Sequence, residues 1–253
     1  MKRILAVLFV VAITGSVSAQ KIELTLQANS GLYHYNGGLS ASESLILGDG
    51  NVSQAYTNNP YGNKNGVSYG GVLQAQMVSR HGFILGLGAG YEVLRSKINV
   101  NTYYPNNSPN YNSIAFPASG RTYLQSNFIN LNPYIGYRLQ FGKVALDVLP
   151  GIDIAFKTSE REHGKANYQE GTVTTNRDRI NVKHDTRLRI GLAATYGRIG
   201  FNASYAHGLV NQAGKMYADP AAQYAYVGNG SASVNDNTAK GELIRFGISY
   251  RIF

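Results

Sequence analysis

The ionisable residues best placed for chemistry share one phase of alternating segments. Glu23, Glu92, Asp147, Asp153 and Asp185 all fall out of step with the apolar residues around them. So do Lys21, Arg138, Lys157, Arg187, Arg189, Arg245 and Arg251. Successive side chains of a strand face opposite ways, so these acids and bases would share one face. The chemistry such a set supports is ion pairing, because a buried unpaired charge costs several kcal/mol. Arg138 lies diagonally near Asp147 across a short turn, and Asp153 can meet Arg187 or Arg189 from the next strand. Gly86, Gly88, Gly90, Gly136, Gly191 and Gly247 on the same face would leave room for the long arginines. The expectation is a charged network of Glu92, Arg138, Asp147, Asp153, Arg187, Arg189, Arg245 and Arg251 that plugs an interior. The alternative is a gated or narrow pore.

Other chemistries find little support. His34, His81, His163, His184 and His207 form no His-Glu-x-x-His and no close metal pair. No Gly-x-Ser-x-Gly is present. Gly86-Leu-Gly-Ala-Gly90 lacks the spacing of a phosphate loop and opens no helix. The chain has 0 Cys, which excludes disulfides, thiol catalysis and a lipid-anchored N-terminus. No catalysis, cofactor or metal is expected; a triad assembled only in space is the enzymatic alternative.

The elements that must carry these residues are strands. Phe83, Leu85, Leu87, Ala89, Tyr91 and Val93 form one apolar face, with glycines and Glu92 between them. Seven more segments alternate in the same way, beginning near Ile22, Val67, Ile129, Val144, Leu188, Ile199 and Ile244. Their connections are short at 79–82, 140–143 and 197–198, and long at about 36–66, 95–122, 158–182 and 209–241. Short and long alternate strictly, as in outer-membrane barrels with short periplasmic turns and long outer loops. Both chain ends then lie on one side, which requires an even strand number. The fold class expected is all-β, a closed antiparallel up-and-down transmembrane barrel of about eight strands. A soluble β-sandwich also alternates, but its loops need not sort by length. Aromatics near the segment ends, among them Phe83, Tyr91, Tyr137, Phe156 and Tyr250, match girdles at the two lipid interfaces. Pairing Leu139 with Val144 would set Pro133 opposite Pro150, where each lacks a ladder donor.

Lys2, Arg3, the apolar run 4–13 and the small residues up to Ala19 read in order as a signal peptide, with cleavage between Ala19 and Gln20. That divides the chain into a signal, 1–19, and a barrel, 20–253. Losing Lys2 and Arg3 lowers the formal charge from +9 to +7. The cations are scattered without a dense cluster, so nucleic acid is not expected. Lipopolysaccharide phosphates are the better anionic partner for an exported protein. The Tyr/Asn-rich stretches 56–65 and 103–112 combine rigid contact area with adaptable hydrogen bonds. They suit recognition of an unknown surface ligand, or else are solvated loops with no dedicated partner.

The span Asn132-Pro-Tyr-Ile-Gly-Tyr-Arg-Leu139, followed by Leu149-Pro-Gly-Ile-Asp153, resembles the outer-membrane β-barrel domain common in Bacteroidetes-type bacteria, PorT-like barrels included. The ending Gly247-Ile-Ser-Tyr-Arg-Ile-Phe253 resembles a C-terminal strand read by the barrel assembly machinery, with Tyr250 and Phe253 as its signal. The topology is similar to the eight-stranded OmpA and OmpX barrels. The resemblance implies a structural or surface-interaction protein in the bacterial outer membrane, among lipid and lipopolysaccharide. A small transport channel, or an accessory barrel of an envelope or secretion machine, is the alternative.

Overall fold

The computed structural model describes residues 21–48, 55–105, 114–179, 182–213 and 238–253. Within them the regular elements are β1 (Lys21–Asn36), β2 (Glu43–Leu47), β3 (Tyr56–Thr57), β4 (Lys64–Val78), β5 (Phe83–Tyr104) and β6 (Phe116–Phe141), then β7 (Val144–Tyr168), β8 (Gly171–Asp178), β9 (His184–Tyr196), β10 (Ile199–Gly208) and β11 (Lys240–Arg251). Eight of these close a ring. Antiparallel pairing runs β1–β4–β5–β6–β7–β9–β10–β11 and returns from β11 to β1. Closure abolishes the free edges of an open sheet. The seam matches Leu26 with Tyr250, Ala28 with Ile248 and Leu32 with Ile244. It continues to the chain end, where the Leu24 amide donates to the Phe253 carbonyl at 3.0 Å. Tyr250 and Phe253 are both exposed. The proposed leader and its Ala19–Gln20 junction lie outside the described residues.

The short connections need glycine. Gly82, Gly142 and Gly197 have φ of 88°, 59° and 61°, a region that side chains with a Cβ rarely adopt. The β6–β7 turn is tighter than the sequence suggests. Phe141 pairs with Val144 and Leu139 with Leu146, so Pro133 is not opposite Pro150. Pro133 keeps its pairing with Leu87 of β5, and Pro150 keeps its pairing with Ile190 of β9. The β6–β7 ladder instead skips the positions around them, between Leu131 and Tyr134 and between Tyr134 and Tyr137. Both missing donors thus fall on one seam and leave the neighbouring ladders intact.

Two regions expected as loops are largely strand. β5 and β6 stay paired out to Tyr103 and Phe116, and β7 and β8 form a hairpin out to Tyr168 and Gly171. The reason is a change of phase. Between Phe83 and Tyr91 the outward residues are apolar, and the inward ones are Ile84 at the turn end followed by three glycines, with Glu92 next. Beyond Glu92 the inward residues Leu94, Ile98 and Val100 are buried, while Arg95, Lys97 and Asn99 face out. Alternation persists, but its hydrophobic side has crossed to the interior. One extra residue, Thr158, is accommodated on β7 where the register with β6 shifts between Asn127 and Phe128.

Candidate functional site in the barrel interior

Near the short turns, the interior is built around Arg138 on β6. Its guanidinium donates from Nε and Nη2 to Asp147 at 2.7 and 2.8 Å. It also donates from Nη1 and Nη2 to Glu23 at 2.9 and 2.8 Å. Arg138 and Asp147 are direct cross-strand partners, not diagonal ones. Glu23 takes a further bond from Gln76 Nε2 at 2.8 Å and lies 3.4 Å from Arg251. Two bidentate contacts use the planar fork of arginine fully. Lys21 lies 3.1 Å from Glu23, but its side chain is mostly exposed.

Above this lies an amide and phenol layer. Gln27 bonds Gln74, Gln74 bonds the Tyr134 hydroxyl, and that hydroxyl donates to Gln76 at 3.0 Å. The glycines expected to admit arginines mostly admit other groups. A Cβ on Gly86 would lie 2.1 Å from the Tyr134 ring, and one on Gly247 would lie 2.1 Å from Asn29 Oδ1. Gly136 faces Leu149, and only Gly191 faces an arginine, Arg189.

The next layer pairs opposed charges across the bore. Arg187 on β9 contacts Glu92 on β5 through Nη1 and Asp185 through Nε, the latter at 2.6 Å. Arg245 on β11 bridges Glu92 and Asp153 at 2.9 and 2.7 Å. Asp153 also accepts from Asn132 at 2.7 Å, with Arg189 at 3.7 Å. Glu92, Asp153 and Asp185 balance Arg187, Arg189 and Arg245, so the layer carries no formal charge. Asp153 stands beside Arg187 in the ladder, yet its ion pair with Arg245 is much shorter than its contact with Arg189. The eight network residues named from sequence therefore divide into two layers.

Sequence reasoning missed what lies above. The Arg187 guanidinium sits 4.9 Å over the Phe128 ring. Phe128 belongs to a buried cluster with Tyr33, Tyr35, Tyr61, Leu94 and Leu243. Tyr33 meets Tyr35, and Tyr35 meets Tyr61, edge to face at 5.2 and 5.1 Å. Tyr61 comes from the connection between β1 and β4. That connection folds back over the mouth, with Tyr35 N–H donating to Gly62 at 2.9 Å and β2 pairing alongside β5. Tyr61 is 0% exposed and its hydroxyl donates to the Gln212 carbonyl at 3.0 Å. The stretch 56–65 is thus neither a solvated loop nor a recognition tip. Its tyrosine is core, because the ring finds a partner inside the mouth. Thr57 is held by Glu162, which Arg179 grips at 2.5 Å. The stretch 106–112 lies outside the described residues.

Outside, the barrel wall is apolar where the interior is polar. Leu26, Leu85, Leu87, Ile135, Leu192 and Ile248 are all at least 47% exposed. Among the described residues no group of His, Cys, Asp and Glu side chains is arranged to hold a metal.

No family model matches the chain, and no curated relative matches it. Among solved structures it is similar to Ail, the attachment invasion locus protein of Yersinia pestis, solved with the heparin analogue sucrose octasulfate. That match has 12% identity over 92% of this chain and 99% of that one, with a TM-score of 0.34. Neisserial surface protein A matches at 7% identity over 90% and 96%, with a TM-score of 0.33. A FadL homologue of Pseudomonas aeruginosa matches at 8% over 92% and 90%, with a TM-score of 0.20. At these values the likenesses assign no activity.

Proposed function

We propose that this chain is an integral outer-membrane barrel with a structural or surface-interaction role, and that it neither passes solutes nor catalyses a reaction. The observation that carries the reading is the reversed placement of polarity. A closed ring of strands, each paired on both sides, shows Leu, Ile and Phe outward and ion pairs inward. A water-soluble protein rarely leaves so continuous an apolar belt uncovered. In lipid the belt is solvated, and a closed ring pairs backbone groups between strands without needing water, the β6–β7 seam at Pro133 and Pro150 excepted. The runs from Phe83 to Tyr91 and from Leu188 to Tyr196 reach the lower end of the roughly 9–11 tilted residues that span a bilayer. Membership of the Bacteroidetes-type, PorT-like family rests on the Asn132–Leu139 and Leu149–Asp153 spans and belongs to the same proposal. So do removal of 1–19 as a signal peptide, with Gln20 as the new N-terminus, and folding by the barrel assembly machinery through Tyr250 and Phe253. Lipid and lipopolysaccharide are the partners.

The test is gel migration of the detergent-extracted protein before and after boiling, with planar-bilayer recording alongside. The folded barrel is expected to migrate anomalously until boiled and to give no steady conductance. A protein that stays soluble and monomeric without detergent would overturn the membrane assignment. Large steady conductance would restore the channel reading.

A further inference from the structure

Cations that are scattered in the sequence meet on one outer face of the barrel extension. Three rows of outward side chains cross β5, β6 and β7 above the apolar belt. The first is Arg95–Gln125–Arg161, the second Lys97–Tyr123–His163, and the third Asn99–Arg121–Lys165. Lys64 of β4 lies directly opposite Lys97, and Arg121 lies directly opposite Lys165. Like charges directly opposed across strands repel. Among the described residues, Lys64, Lys97, Arg121 and Lys165 form no ion pair. Among the described residues, carboxylates stand only at the margins of this face. Asp178 reaches Arg161 at 3.7 Å with a side chain that is 77% exposed, and Glu43 accepts from Asn101 at 3.0 Å. A sheet face that holds opposed cations without internal acids is built for external anions.

The height of the face selects the anion. The last apolar row is Tyr91–Ile129–Phe156, and Val93–Asn127–Ser159 follows it. At about 3.3 Å per residue, Arg95 lies roughly 13 Å along the strand beyond Tyr91, less in height because the strands tilt. Aromatics sit among the cations: Arg95 stacks over Tyr69 at 5.4 Å, and Tyr123 stacks on His163 at 5.6 Å. Aromatic rings followed by cations is the order of a membrane headgroup zone. Resting on the membrane reading above, we infer that this face binds the phosphates of lipopolysaccharide in the surrounding leaflet, with Lys97, Arg121 and Lys165 as its centre.

The experiment uses the full mature chain in nanodiscs and measures retention of phosphorylated lipopolysaccharide, its dephosphorylated form and a soluble polysulfated glycan. The K97Q/R121Q/K165Q variant is compared with R80Q/K143Q/R198Q, which removes cations at the opposite rim. Losing three surface contacts is expected to weaken retention of the phosphorylated lipid about tenfold, and added salt should weaken it further in the unaltered protein. The opposite-rim variant should retain lipid as the unaltered protein does. Equal retention by the K97Q/R121Q/K165Q variant, or of the dephosphorylated lipid, overturns the inference. Stronger retention of the soluble glycan than of the phosphorylated lipid shows that the face prefers a soluble polyanion to the leaflet and overturns it too. Heat-modifiable migration of each variant separates loss of the site from loss of the fold. Failure of the membrane reading shows separately, as a chain that needs no detergent.

Discussion

Arg245 on β11 and Glu92 on β5 are three strands apart around the ring, yet they meet at 2.9 Å across the bore. Arg187 reaches the same carboxylate from β9. Glu92 is therefore shared by two guanidiniums, and it ties strands that share no ladder. Replacing it with Gln leaves one excess positive charge in a layer that is otherwise balanced. Breaking a buried pair costs about 3–5 kcal/mol. Because Asp185 and Asp153 still hold the two arginines, E92Q should fall near the low end, about 3 kcal/mol. Urea unfolding in detergent reads this. The E92Q/R245M variant restores neutrality and should recover more than half of the loss. If E92Q unfolds at the same midpoint as the parent, the layer is not a stabilising element.

Gly86 and Tyr134 make a second test, of shape and not charge. A Cβ on Gly86 would lie 2.1 Å from Tyr134 Cζ and 2.2 Å from its hydroxyl, and that hydroxyl anchors the Gln74–Gln76 layer. G86A should therefore destabilise by about 1–3 kcal/mol through overpacking. Shortening the neighbour, as in G86A/Y134L, should cost less than the two single changes added together, since contacting residues couple. Additive costs would mean that the ring moves freely.

Strand positions were legible because one physical rule, inside versus outside, writes itself at every second residue. Phe83 to Tyr91 and Ile244 to Ile252 show it plainly. The interior charges Arg138, Asp147, Glu92 and Arg245 were legible for the same reason. Which pairs with which was not, because Arg245–Glu92 spans the bore and depends on closure and tilt. The extension of β5 beyond Glu92 was hidden by its phase change: Leu94 and Ile98 continue the alternation with the opposite face apolar. Tyr61 read as a loop residue because nothing local tells that its partner, Tyr35, waits inside the mouth. The basic face escaped notice because Lys97, Arg121 and Lys165 are far apart in sequence and come together only by strand pairing.

His163 gives the outer extension a pH dependence. Partial burial, then the neighbouring Arg95 and Arg161, hold its imidazole below the ordinary range, against an opposing pull from Glu162. The depressed value means that the unfolded chain takes up the proton first. Stability from this site is fully present above the unfolded value, near 6.5, and is lost as pH falls through the folded value. Amide protection in β6, β7 and β8, measured relative to the intrinsic exchange rate at each pH, should fall as the pH drops below the unfolded value, and H163Q should remove that part of the change. A loss of protection that persists unchanged in H163Q would assign the effect elsewhere.

The interior filling has two barriers in series, and this sets what a single lesion can do. The Arg138–Glu23–Asp147 group closes the turn end, while the Tyr33–Tyr35–Tyr61 cluster closes the loop end. Between them stand the glutamine layer and the Glu92 layer. A current needs a continuous water path, so removing one barrier leaves the other in place. The E23A/R138A variant should remain without steady conductance in a planar bilayer although it is less stable. Y61A removes a fully buried ring, which costs about 3–5 kcal/mol on the scale of large aromatic truncations, and should likewise stay closed. Steady current through E23A/R138A alone would show that the tyrosine cluster does not seal the mouth.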